Sequence, residues 1–130
     1  MTTRILRCEF CAGQPITAFE HIDLLTAGAN SIAQLELRLK RFDAVLLSSL
    51  PVLVPPVATV LNGDTEFFRV NCLLRRNNSV VHMLGGCSTS LPCRAPDKLP
   101  VGLVLWHASM QDAAVLDAAP QVENLLKRLL

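Results

Sequence analysis

Apolar and polar positions change period several times along this chain. Leu6, Cys8 and Phe10 alternate with Arg7 and Glu9, the two-residue period of a strand with one face on a core, and predict a strand over 4–11. Phe19, Ile22 and Leu25 then recur at helical spacing. Thr17 and Glu20 ahead of them stand three apart as a capping box does, and Gly28 offers a stop, so a helix is expected over 17–27. In "SIAQLELRLKRF" two periods overlap: Ile32, Leu35, Leu39 and Phe42 repeat as on a helix, while Ala33, Leu35, Leu37 and Leu39 alternate as on a strand. Ser31 and Gln34 make a second capping box, and the residues between are good helix formers, which favours helix over 31–42 with strand as the alternative.

After Phe42, "DAVLLSSL" is a continuous apolar run with the character of a buried strand. The stretch "VATVLNGDTEFFRVNCLLRRNNSVVHMLGG" holds two turn signals, Asn62-Gly63 and Asn77-Asn78, between runs of strand composition. Phe68, Val70, Cys72 and Leu74 alternate within it, so it predicts a meander with strands near 57–61, 65–76 and 79–85. Residues 86–100, rich in proline, serine and threonine, read as a long loop. "VGLVLWHA" is a further strand. The C-terminal stretch is helical at least from Pro120, with Val122, Leu125, Leu126 and Leu129 on one face and Lys127 and Arg128 suited to the helix C-terminus. This order predicts one α+β domain over 1–130: an antiparallel, mixed-edge, twisted sheet of about five to six strands with helices packed mainly on one face. Neither a repeat nor a linker interrupts it.

Composition narrows the function. Hydrophobic residues make up 51% of the chain and charged residues 18%, an apolar excess over ordinary soluble domains that must be buried in the core or in a partner. The net charge is +1, basic residues never run beyond pairs such as Lys40-Arg41 and Arg75-Arg76, and tyrosine is absent. Nucleic-acid binding, which needs a basic footprint and aromatic platforms, is therefore disfavoured. "MTTRILRCEF" lacks the apolar core of a signal peptide, and five cysteines do not pair evenly into disulfides; both point to a reducing, cytoplasmic setting. The eighteen uncharged residues from 44 to 61 are just long enough to span a bilayer, but Pro51, Pro55 and Pro56 break any helix there. Buried strand and turn is the reading, with peripheral membrane contact as the minor alternative.

"TRILRCEF" and "FDAVLLSSLP" are similar to the first and third strands of response-regulator receivers. That resemblance implies a doubly wound α/β fold. In it the phosphoacceptor aspartate position would hold Ser48, and of the acidic pair near the first strand only Glu9 remains. A receiver of this kind would bind partners without being phosphorylated.

Cysteine chemistry is the main catalytic or metal candidate. Cys8 and Cys11 have the spacing of half a zinc site, and Cys87 and Cys93, with five residues between them and with His82 or His107 as substitutes, are the candidates for the other half, at a spacing looser than a standard knuckle. A strand over 4–11 would send Cys8 and Cys11 to opposite faces, because their separation is odd. A redox dithiol fits less well, since the following helix begins too late to act on Cys8. Cys87, after two glycines, is also a candidate nucleophile if His82 or His107 lies beside it. Asp64 in "NGD" is explained by a turn without a ligand. No cofactor-binding fingerprint is present.

What remains is the apolar excess. Pro51, Val52, Leu53, Val54, Pro55, Pro56 and Val57 cannot form a central strand, because proline donates no ladder hydrogen bond, and an apolar, proline-blunted edge suits a protein interface. The expected function is a small non-enzymatic interaction module, an assembly factor, adaptor or complex subunit, that dimerises or joins a larger complex through this segment and the apolar sheet. The alternatives are a zinc protein or enzyme using Cys8, Cys11, Cys87 and Cys93, and a carrier whose sheet folds over an apolar ligand.

Overall fold

The computed structural model describes residues 16–61, 63–95 and 97–129. Their order is α1 (Ala18–Leu39), β1 (Val45–Ser48), α2 (Val57–Leu61), α3 (Asp64–Met83), β2 (Cys87–Pro92), β3 (Gly102–His107) and α4 (Asp112–Leu129). The predicted strand over 4–11, and with it Cys8, Glu9 and Cys11, lies outside the described residues.

Thr17 and Glu20 form the expected capping box. The Glu20 amide donates to the Thr17 hydroxyl at 3.2 Å, and the Thr17 amide donates to the Glu20 carboxylate at 2.8 Å. Gly28 does not stop the helix, and the two helices expected over 17–42 are one helix of 22 residues. The second capping box is not used: the Ser31 hydroxyl donates back to the Ala27 carbonyl at 2.8 Å, the local bond that Ser makes inside a helix.

The sheet corrects the expected architecture. Among the described residues the fold is α+β, but the sheet has three strands instead of five to six, in the order β1-β3-β2. β3 is central and antiparallel to both neighbours, pairing Leu46 with Leu105 on one side and Thr89 with Leu105 on the other. β1 and β2 therefore run parallel with β3 inserted between them, and α2 and α3 form the crossover, a split βαβ unit. An antiparallel sheet excludes the doubly wound receiver arrangement. Ser48 does not occupy a phosphoacceptor site: it ends β1, where its carbonyl accepts from the Asn77 amide at 2.7 Å.

Strand alternation splits β3 between two cores. Val104 and Trp106 turn one way with Val45 and Leu47, and Leu39 of α1 and Val81 of α3 cover them. Leu105 turns the other way with Leu91, and Val115 and Ala119 of α4 cover them. Leu105 is 1% exposed at the centre of the molecule. Helices therefore lie on both faces of the sheet, where one face was expected, because each face of β3 is apolar and must be buried.

The expected meander is helical. Residues 57–61 form α2, and 65–76 with 79–85 are replaced by the single helix α3. Phe67, Val70, Leu74, Asn77, Val81 and Leu84 carry a three-and-four spacing that puts partly or fully buried positions on one helix face. That period competes with the alternation through Phe68, Val70, Cys72 and Leu74, and burial against the sheet decides for it. Gly63, at φ 144, precedes α3 where a hairpin turn was expected, and Asp64 and Glu66 occupy the first turn, where carboxylates suit the dipole. Asn77 and Asn78 sit inside the helix. α3 ends in a Schellman motif: the Gly85 amide donates to the His82 carbonyl and the Gly86 amide to the Val81 carbonyl, with Gly85 at φ 64.

The first part of the expected 86–100 loop is β2. Cys87, Thr89 and Leu91 turn inward and Ser88 and Ser90 outward. Beyond β3, α4 starts at Asp112, within the stretch expected to be helical at least from Pro120, and carries Pro120 in its interior instead of its first turn. No helix among the described residues is long and apolar enough to cross a membrane. The uncharged run over 44–61 is divided between β1, an irregular segment and α2.

Candidate functional site

Pro51, Val52, Leu53, Val54, Pro55 and Pro56 form the irregular segment between β1 and α2, and Val57 opens α2. The segment is not an edge strand. Pro51, Pro55 and Pro56 have no amide hydrogen to offer a ladder, and proline also pushes the residue before it out of the helical region, so α2 starts only beyond them. Pro51 and Pro55 are half-buried and hold the segment on the fold, while the residues between them face solvent. Leu53 is 64% exposed and Val57 70% exposed. The structure thus presents the apolar run that the sequence singles out, and presents it as a loop. The sheet, the other surface expected to take part, has an apolar cluster on each face covered by helices.

α1 carries a second exposed apolar surface, which the sequence reading did not identify. Only its last turns enter the core, through Leu35 and Leu39. Phe19 is 73% exposed, Ile22 60% and Leu37 66%. The helical spacing of Phe19, Ile22 and Leu25 was the available signal. An apolar helical stripe ordinarily faces a core, and here the stripe faces solvent.

The cysteines fall apart as a set. Cys8 and Cys11 lie outside the described residues, and Cys87 and Cys93 are at opposite ends of β2. Six residues of extended chain separate those two by roughly 20 Å, so they cannot ligate one ion. Among the described residues no group of three or more His, Cys, Asp or Glu side chains is arranged to hold a metal.

Cys87 and His107 are brought together. They are directly paired across β2 and β3, on the sheet face that α4 covers. Their polar atoms are nonetheless engaged elsewhere. The Ala108 amide donates to His107 Nδ1 at 2.7 Å, which assigns the Nε2–H tautomer, and Nε2–H donates to the Phe42 carbonyl at 3.1 Å. The Cys87 thiol donates to the Ala108 carbonyl at 3.3 Å. A base that activated this thiol would need a free ring nitrogen toward it, and both nitrogens are bonded to backbone. His82 is exposed near the end of α3.

An open cleft of about 540 Å³ lies over His107, between the end of α1 and the turn into α4. Glu36, Asp43 and Lys40 line it with Ser109 and Gln111. Its walls mix both signs of charge, and its histidine has no free nitrogen to offer. Among the described residues the Trp106 and Leu105 clusters pack the two faces of the sheet against the helices. Carboxylate behaviour away from this cleft follows local pairing. The Arg69 guanidinium makes two bonds to Glu66, at 2.7 and 2.8 Å, and holds that carboxyl below its ordinary value.

No protein-family model, curated protein or solved structure matches this chain.

Proposed function

We propose that this chain is a small non-enzymatic protein-interaction module that binds another protein chain through its exposed apolar segment over 51–57. One observation carries the reading: Val52, Leu53, Val54 and Val57 stand exposed in consecutive or near-consecutive positions, on a segment that prolines keep out of both sheet and helix. Scattered single apolar residues on a surface need no explanation, but a contiguous apolar run has a hydration cost that an interface removes. Proline also lowers the entropy that the segment loses on binding. The engagement of Cys87 and His107 by backbone groups supports binding over nucleophilic chemistry at that pair.

The test is site-specific photo-crosslinking in cells. With a benzophenone amino acid in place of Leu53, a discrete adduct to a protein chain is expected, either this one or another. The same group in place of Asp117, on the exposed side of α4, is the control. Equal and diffuse labelling from both positions would overturn the reading.

A further inference from the structure

His107 is 8% exposed and is tied to backbone at both ring nitrogens. Nδ1 accepts from the Ala108 amide at 2.7 Å, and Nε2–H donates to the Phe42 carbonyl at 3.1 Å. The ring thereby joins the turn that leads from β3 into α4 to the connection between α1 and β1, and both of these line the open cleft of about 540 Å³. Only the neutral ring can make both bonds. An imidazolium carries a hydrogen on each nitrogen, so its Nδ1–H would meet the Ala108 N–H donor to donor.

The turn has a reason to move once that bond is gone. Met110 holds φ at 62, in the left-handed region that costs a residue with a Cβ, and its side chain is 87% exposed. The Met110 side chain thus adds little packing to hold the backbone there. The anchors lie two residues earlier, where the Ala108 amide is bonded to His107 and the Ala108 carbonyl accepts from the Cys87 thiol at 3.3 Å.

The cation would not be stranded. Glu36 of α1 and Asp43 of the α1–β1 connection bring two carboxylates to the cleft, and Lys40 opposes them with one positive charge. From the other wall come the positive end of the α4 dipole, Asp112 in its first turn, and the neutral Ser109 and Gln111. From β2 comes the Cys87 thiol, already bonded to Ala108.

We propose that the turn between β3 and α4 is an acid-sensitive latch, in which a proton taken from solvent by His107 Nδ1 reverses that nitrogen from acceptor to donor and releases the Ala108 amide. Both bonds are made at neutral pH and above. As pH falls the Phe42 bond stays, the Ala108 bond breaks, and the wall of the cleft from Ala108 to Gln111 loosens. The latch is independent of the 51–57 segment.

NMR of the full chain from about pH 8 to about pH 5, the interval in which histidine titrates, tests the latch. At the upper end the His107 side-chain nitrogen signals should be those of the Nε2–H tautomer. As the ring takes up its proton, the Ala108 amide should lose exchange protection by more than about tenfold, after correction for the intrinsic rate, while the Leu105 amide keeps its own. His107→Gln, which takes up no proton in this interval, should abolish the pH dependence at Ala108. His21→Gln and His82→Gln, at exposed positions on α1 and α3, should preserve it. The tautomer and the Ala108 amide are read on the unaltered chain, so the test holds even where His107→Gln does not fold.

An Nδ1–H tautomer at neutral pH overturns the latch, and so does a ring that takes up no proton down to about pH 5. A ring that takes up its proton while the Ala108 amide stays protected overturns it as well. Loss of protection at Leu105 over the same interval would mark unfolding of the sheet in place of a local release, and a pH dependence at Ala108 that survives His107→Gln would place its origin in another group; each of these also overturns the proposal.

Discussion

Cys87 and His107 face each other across the β2–β3 ladder, yet the hydrogen bonds of both side chains go to the backbone around Ala108 and Phe42. The pair resembles a nucleophile and its base in position alone. Thiol reactivity should therefore follow exposure. Cys72 is exposed on α3 and Cys87 is half-buried under α4. Under limiting iodoacetamide, with peptides read by mass spectrometry, Cys72 should be alkylated about tenfold faster or more, since access and thiolate character set these rates. Faster labelling of Cys87 would show an activated thiol and return the enzyme reading.

The glycines separate into three mechanical cases. Gly28 lies mid-helix with open space where a Cβ would go, so Gly28→Ala should stabilise the chain by up to about 1 kcal/mol. Gly85 caps α3 at φ 64, and Gly85→Ala should cost about 1–2 kcal/mol for the left-handed backbone. Gly86 has no room: a Cβ there would stand 2.7 Å from the His107 carbonyl oxygen, which β3 fixes in place. Gly86→Ala should be the worst of the three, since α3 or β2 must shift away from β3. Urea titrations of the variants give the order directly, and a Gly86→Ala chain as stable as Gly85→Ala would refute the close approach.

Pro120 sits inside α4 on the exposed side. It removes the amide that would donate to the Leu116 carbonyl one turn earlier, and proline is about 3 kcal/mol less favourable than alanine within a helix. Pro120→Ala should raise the denaturation midpoint, by up to that amount if α4 forms only with the whole fold. Thermal and urea unfolding followed at 222 nm would check it. An unchanged midpoint would mean that α4 unfolds there independently of the core it covers through Val115 and Ala119.

How legible the fold was depended on whether one period stood alone. β1 and β3 were readable because continuous apolar runs leave little choice in a chain of this size, and the Thr17–Glu20 box fixed the start of α1. α3 was misread because Val70 and Leu74 satisfy both the alternating and the helical period, and only packing against the sheet selects one. β2 was missed because Ser88 and Ser90 look like loop residues until β3 pairs beside them. The 51–57 segment was legible from its prolines. The exposed apolar surface of α1 was not, since the sequence carries the helical spacing but cannot say that the core takes Leu35 and Leu39 and leaves Phe19, Ile22 and Leu37 in solvent.

The start of α1 should respond to acid. The backbone and hydroxyl bonds from Thr17 hold the Glu20 carboxyl below its ordinary value of 4.5 in the folded chain. A carboxyl depressed by folding stabilises above its unfolded value, and that contribution is lost as pH falls through the folded value. The first turn of α1 should therefore be fully capped at neutral pH and fray progressively below about pH 4.5. Amide exchange by NMR at His21 and Ile22 reads this locally, without requiring global unfolding. Thr17→Ala should raise exchange there at every pH, at a cost of about 1 kcal/mol typical of a lost N-cap. Glu20→Gln should abolish the acid dependence while leaving the Thr17 hydroxyl to accept from the residue 20 amide. If the acid fraying survives Glu20→Gln, its origin lies elsewhere. The Glu66–Arg69 pair is the next carboxylate to examine, because Glu66 is also depressed and loses its partner in the same direction of pH.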